Sequence, residues 1–268
     1  MGKMNISLEN WVHKKAPSGV DRLTYKSLED GLKDWALAWR PPDKGNVWVV
    51  HLHGHGSTGD QIFTREDIRE KWFTRYRELG LGVLSPNLRG NAWMCPEAVS
   101  DLHHLLRWVR QKYAVRAFYL VSGSMGGTGN LIYSILHPED VTAVVALCPV
   151  TDIAFYHEWC LAHPGDVCHD IRLAIESAYS GAPSQVPDRY LPHVVIKNAH
   201  RLTMPVFLAH ATGDAVIPVQ QSRDLYKLLK GKPNVEYVEI DGGDHDTPLH
   251  HDAMPKWLEN ILVIQGHR

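Results

Sequence analysis

The sequence predicts an α/β fold: a mostly parallel, doubly wound sheet with helices on both faces, interrupted once by a small helical cap. Three observations predict it. Continuous apolar runs at 47–52, 82–85, 118–121, 141–147 and 205–210 read as strands buried on both faces. Stripes at helical spacing alternate with them, the clearest being Val99, Leu102, Leu105, Leu106, Val109 and Tyr113. Such alternation needs parallel strands joined by crossovers. The third observation is where it stops. From 150 to 201 no strand pattern is convincing, whereas Val167, Ile171, Ala174, Ile175 and Ala178 suggest a helix and four prolines punctuate the stretch. The expectation is one domain over 1–268 with a helical cap inserted at 150–201.

In chain order, 21–28 and 32–39 alternate around Asp30-Gly31, a hairpin signal. The 47–52 strand ends in a glycine-rich loop, HGHGSTGD at 53–60. Ile68, Trp72, Tyr76 and Leu79 then recur at helical spacing, and 82–85 is the next strand. The 99–113 stripe leads to the 118–121 strand, which breaks at SGSMGG (122–127) before Leu131, Ile132, Ile135 and Leu136 take up a helix. After the insertion come the 205–210 strand, a helix around 225–229, the 235–240 strand and a closing helix with Met254, Trp257, Leu258 and Ile261.

Composition removes several function classes. The chain is 268 residues long, 44% hydrophobic and 22% charged, with net charge −2. A near-neutral balance argues against nucleic acid or an acidic membrane surface as the main partner. No apolar run approaches the roughly 20 residues that span a bilayer. The N-terminus has no secretory pattern, and Ile6 stands where myristoylation wants Ser or Thr after Met1-Gly2, so a cytoplasmic location is expected. Oligomeric state is not legible, and a homo-oligomer stays open. Cys95, Cys148, Cys160 and Cys168 form no CxxC pair. Cys160 and Cys168 are near enough in sequence to bridge, but four cysteines in a chain this size are more often buried free thiols.

The chemistry gathers at strand ends. A strand feeding a helix through small–x–Ser–x–Gly is a nucleophile elbow, in which Ser124 stands on a turn so tight that its neighbours must be small. The helix beneath offers unpaired N–H groups to a developing negative charge. Two later strands end in TGDAVIP (212–218) and DGGDHD (241–246). Carboxyl ends of parallel strands share one side of a sheet, so Ser124, Asp214 and His245 can converge. A serine hydroxyl needs an imidazole to take its proton, and the imidazole needs a carboxylate to fix its tautomer. Asp241, Asp244 and Asp246 are rival orienters of His245, and Asp214 could merely cap the following helix.

Together, His53-Gly54, the SGSMGG elbow, GDAVIP and the His245 loop resemble the α/β-hydrolase superfamily over essentially the whole length. They are most similar to the branch of dienelactone-hydrolase-like esterases and prolyl-oligopeptidase-type peptidases. The chain departs from the commonest elbow in having Ser122 where Gly usually stands. The resemblance implies a serine hydrolase acting on carboxylic esters, with a small-molecule ester as partner and no cofactor. It assigns Ser124, His245 and Asp214 the catalytic roles, and the N–H groups of His55 and Met125 the oxyanion hole. A peptidase or amidase using the same residues is the alternative, lowered by the lack of a β-propeller ahead of the core. Trp93 and Trp159 are candidate substrate-binding residues, though buried packing explains either equally well. The rival class is a metallohydrolase. His51, His53 and His55 alternate, and on a strand all three would face one way as metal ligands. Gly54 and Gly56 break the strand there, which weighs against it.

Overall fold

The computed structural model describes residues 4–42 and 45–267; Met1 and Gly2, on which the myristoylation reading falls, lie outside them. Nine strands form one sheet in the order β1-β2-β3-β5-β4-β6-β7-β8-β9. They are β1 Ile6–Trp11, β2 Val20–Lys26, β3 Lys33–Trp39, β4 Val47–Val50, β5 Gly82–Pro86, β6 Ala117–Gly123, β7 Ala143–Leu147, β8 Val206–Ala211 and β9 Val235–Ile240. From β5 to β9 every pairing is parallel, while β1, β2 and β3 are antiparallel and β3 also pairs β5 antiparallel. This is the doubly wound α/β class the alternation predicts. The hairpin at Asp30-Gly31 closes as read, with Lys26 opposite Lys33 and Val20 opposite Trp39.

Alternation along each strand sends side chains to two cores. On one face Trp48, Val50, Phe118 and Leu120 pack with Leu102, Leu105 and Leu106 of the Pro96–Tyr113 helix and Leu225 of the Gln220–Leu229 helix. On the other, Val47, Val49, Tyr119 and Val121 pack with Trp72, Tyr76, Trp257 and Leu258. Each such side chain, fully buried, contributes roughly 1.5–3 kcal/mol. Residues 61–78 do not make one regular helix. The Arg69–Phe73 turn is a π-helix, which lets adjacent Trp72 and Phe73 both bury. Between β7 and β8 the described residues are helical or irregular, with helices Ile153–Ala162 and Asp166–Tyr179. Among the described residues no helix is long and apolar enough to cross a membrane, and all four cysteines are free and buried.

Candidate active site

Strand β6 runs straight into the Ser124–Leu136 helix, with no loop between. Ser124 absorbs the change of direction at φ 56°, a left-handed conformation that costs a non-glycine residue about 1–3 kcal/mol. The turn is this tight because β4's continuation lies against it. A Cβ on Gly126 would sit 2.2 Å from the Leu52 carbonyl oxygen, so only glycine fits. The departure at Ser122 has a use here. Its fully buried Oγ accepts the Leu52 N–H at 2.8 Å, tying the turn to the strip that follows β4.

His245, in the turn after β9, reaches Ser124: its Nε2 lies 2.8 Å from Oγ. Its Nδ1 lies 2.7 Å from Asp214 Oδ2. Because a carboxylate only accepts, Nδ1 carries the proton and Nε2 is left to accept one from Ser124. Asp214 is fully buried in the turn after β8 and held from all sides. Its Oδ1 accepts the N–H groups of Val216 and Ile217 at 2.8 and 2.9 Å, and Oδ2 also faces His210 Nε2 at 3.1 Å. Burial alone would raise the Asp214 pKa; bonds from His210 and His245, with the charge on His245, outweigh it and hold the carboxyl below its usual range. For His245, burial disfavours the charged ring, yet the Cys148 sulfur and the Asp214 carboxylate beside it raise the pKa above the ordinary 6.5. The rival acids are engaged elsewhere: Asp241 accepts the Thr212 hydroxyl at 3.4 Å, Asp244 that of Thr247 at 2.8 Å, and Asp246 pairs with Arg65 at 3.1 Å.

The strip carrying His55 is fixed on both sides. Gly54 N–H donates to Gln61 Oε1 at 3.0 Å and Gly56 N–H to Asn91 Oδ1 at 2.8 Å. His53 bridges the Gly54 and Asn87 carbonyls, 2.9 Å from each. Met125, second residue of its helix, has no intrahelical acceptor for its N–H. The alternating histidines do not form a ligand set. Strand β4 ends at Val50, and each ring is engaged separately. His51 Nδ1 lies 3.0 Å from the Val121 carbonyl, and His55 Nδ1 accepts the Trp93 indole N–H at 3.3 Å. Burial pushes the His51 pKa down to about 3 and lowers that of His55. Among the described residues, the three-residue groups close enough to share a metal ion are His103/His137/Asp140 and Cys148/Asp214/His245.

Comparison with known proteins places the fold. The family model described as alpha/beta hydrolase fold matches residues 45–166, from β4 through the elbow and β7 into the insertion, short of Asp214 and His245. An esterase of Pyrococcus furiosus superposes with TM-score 0.67 at 15% identity, covering 97% of this chain and 98% of its own. The chain has the α/β-hydrolase fold. An acetyl xylan esterase from Paenibacillus sp. R4 gives TM-score 0.69 at 17% identity over 96% of this chain and 88% of its own. A puromycin-hydrolyzing peptidase of Mycobacterium tuberculosis gives 0.61 at 18%, over 90% of this chain but 36% of its own. In sequence, 193 residues are 25% identical to the lysophosphatidylserine lipase ABHD12 of Danio rerio, 67% of this chain. The chain spans under half, 46%, of that curated relative.

The cleft at Ser124 holds about 110 Å³ and is lined by Gln61, Arg65, Ile68, Trp72, His245 and Leu249, among others. Neither candidate tryptophan lines it. Trp93 is buried, 1% exposed, where it packs on Tyr156 and donates to His55, bracing the strip, and it also lines a small cavity of about 20 Å³ with Met125 and Gly126. Trp159 lines a separate cavity of about 340 Å³ with Phe155, Ile196 and Pro218. The insertion contributes no residue lining the Ser124 cleft; it touches the site's supports. Tyr156 Oη donates to the Val216 carbonyl at 2.9 Å and Tyr179 Oη to that of Trp93 at 3.1 Å. The sequence reading missed Gln61, Asn91 and His210. His210, four residues before Asp214 in the same strand-end run, carried the one available signal.

Proposed function

We propose that the chain is a serine hydrolase of small carboxylic esters. The observation that carries this is the continuous relay from Ser124 Oγ to His245 Nε2 at 2.8 Å and from Nδ1 to Asp214 at 2.7 Å. Ser124 attacks the acyl carbon while His245 takes its proton; the Met125 and His55 N–H groups receive the charge that forms on the carbonyl oxygen. His245 then returns the proton to the departing alkoxide, and water repeats the cycle on the acyl-enzyme. Asp214 stabilises the imidazolium at each step.

The size of the cleft supports a small acyl group. At about 110 Å³ it is well below the ~300 Å³ at which sites for drug-sized ligands begin. Gln61, Arg65 and Asp246 give its wall polar groups where a long chain would need a continuous apolar groove. The relative named as a lysophosphatidylserine lipase suggests a longer acyl chain, and the peptidase neighbour an amide. One panel separates the three: p-nitrophenyl acetate to decanoate, a lysophospholipid and an aminoacyl anilide. Acetyl-to-butyryl esters are expected to be the best substrates. A fluorophosphonate should label Ser124, and Ser124→Ala should lower kcat by roughly 10⁴–10⁶-fold. Decanoate, lysophospholipid or anilide turned over faster than butyrate would overturn the reading, as would near-normal turnover in the serine variant.

A further inference from the structure

The triad acid and base have a third neighbour that the hydrolytic cycle does not use. Cys148 follows β7 immediately, with φ 42° in a conformation a side chain normally avoids. Its N–H donates to the Ala209 carbonyl at 2.7 Å, and its thiol to the His245 carbonyl at 3.3 Å. Held in this way, the sulfur sits within 4.8 Å of ligand atoms of both Asp214 and His245. Thiolate, imidazole and carboxylate are the donor types of tetrahedral zinc sites. Metal bonds of about 2.0–2.3 Å require donor separations of roughly 3.3–3.7 Å, so small side-chain rotations suffice. Cys148 is buried and the Asp214 side chain is fully covered, while the His245 side chain, 18% exposed, is the open side of the cluster.

We propose that Cys148, Asp214 and His245 form an inhibitory binding site for a thiophilic divalent cation of the zinc type. The ion takes Cys148 Sγ, Asp214 Oδ2 and His245 Nδ1, with water as the fourth ligand. The thiol proton goes to solvent. Neutral His245 has one ring proton, which moves from Nδ1 to Nε2 when Nδ1 becomes a ligand. Nε2 then donates to Ser124 Oγ and cannot accept from it, so the nucleophile is not activated. The block is a change of tautomer as well as of occupancy, and chelation reverses it. Inhibition rests on the hydrolase reading; metal binding does not.

The experiment titrates the full-length protein with Zn²⁺ and, separately, Co²⁺. Zinc should abolish ester hydrolysis and fluorophosphonate labelling together, with recovery on adding EDTA. In Cys148→Ala and Cys148→Ser, half-inhibition should need at least ~10-fold more zinc than in the unsubstituted protein. Cobalt should give a near-ultraviolet thiolate-to-metal band that both Cys148 variants lose and Ser124→Ala keeps. The band also separates two failures: a protein without esterase activity but with a Cys148-dependent band sinks the hydrolase reading and leaves the metal site standing. Equal zinc sensitivity with and without Cys148, or a cobalt complex whose thiolate band survives in Cys148→Ala, overturns the proposal. The remaining cysteines, Cys95, Cys160 and Cys168, serve as internal controls for that band.

Discussion

Asp214 receives four hydrogen bonds, two from backbone N–H groups and two from imidazoles, and none of its oxygens meets water. Its negative charge is therefore spent inside the site, chiefly on His245. The consequence is a testable pH dependence. His245 must be neutral to take the serine proton, and its pKa is raised above 6.5 by its neighbours. Thus kcat/KM should rise with pH along a limb centred above 6.5, on the alkaline side of the ordinary imidazole range of about 6–7. Asp214→Asn removes the charge that raises it, so the same limb should move down while kcat falls by at least ~10³-fold. A profile flat from pH 5 to 8, or a limb that Asp214→Asn leaves in place, would remove His245 from the role of base.

At the scale of elements, the strip after β4 and the loop between β5 and the Pro96–Tyr113 helix form one support for the proposed oxyanion N–H groups. The loop carries four non-glycine residues at positive φ, Leu88, Arg89, Trp93 and Met94, and delivers both the Asn91 amide and the Trp93 indole to the strip. Asn91→Ala should lower kcat about 10-fold with little change in KM or melting temperature, because the strip loosens only where transition-state charge forms. A KM effect alone would mean that Asn91 serves substrate entry. Much of this region was legible beforehand, for physical reasons that differ by residue. The buried strands announce themselves because both faces are apolar, and Ser124 and Asp214 because each follows such a strand; His245 follows the alternating, part-exposed β9 and was found from its Asp-Gly-Gly-Asp-His-Asp loop instead. Strand β1 was missed because its Ile6-Ser7-Leu8-Glu9 alternation is only four residues long and Leu8 is exposed, and its pairing with β2 is what makes it a strand. The roles of Ser122, Gln61 and Asn91 depend on contacts between segments far apart in sequence. Trp159 was assigned by composition, but what it lines depends on how the Ile153–Ala162 helix docks, which composition does not encode.

Over the whole molecule, stability comes from two apolar cores on either side of one sheet, with no covalent cross-link. Excess dithiothreitol is therefore expected to leave the melting temperature unchanged; a drop of several degrees would mean that Cys160 and Cys168 pair in solution. The same sheet also sets when the site can exist. Its middle strands, β4 and β6, pair across a gap in sequence that contains β5, whereas the proposed acid and base follow β8 and β9 at the far side. Translation at about 5–20 residues per second puts a delay of a few seconds between the emergence of Asp214 and that of His245. Through that interval a nascent chain can hold Ser124 on its strained turn with no imidazole to activate it. The proposed nucleophile meets its imidazole only when the last strand docks, so the ribosome-bound chain carries the strained serine without the group that would activate it.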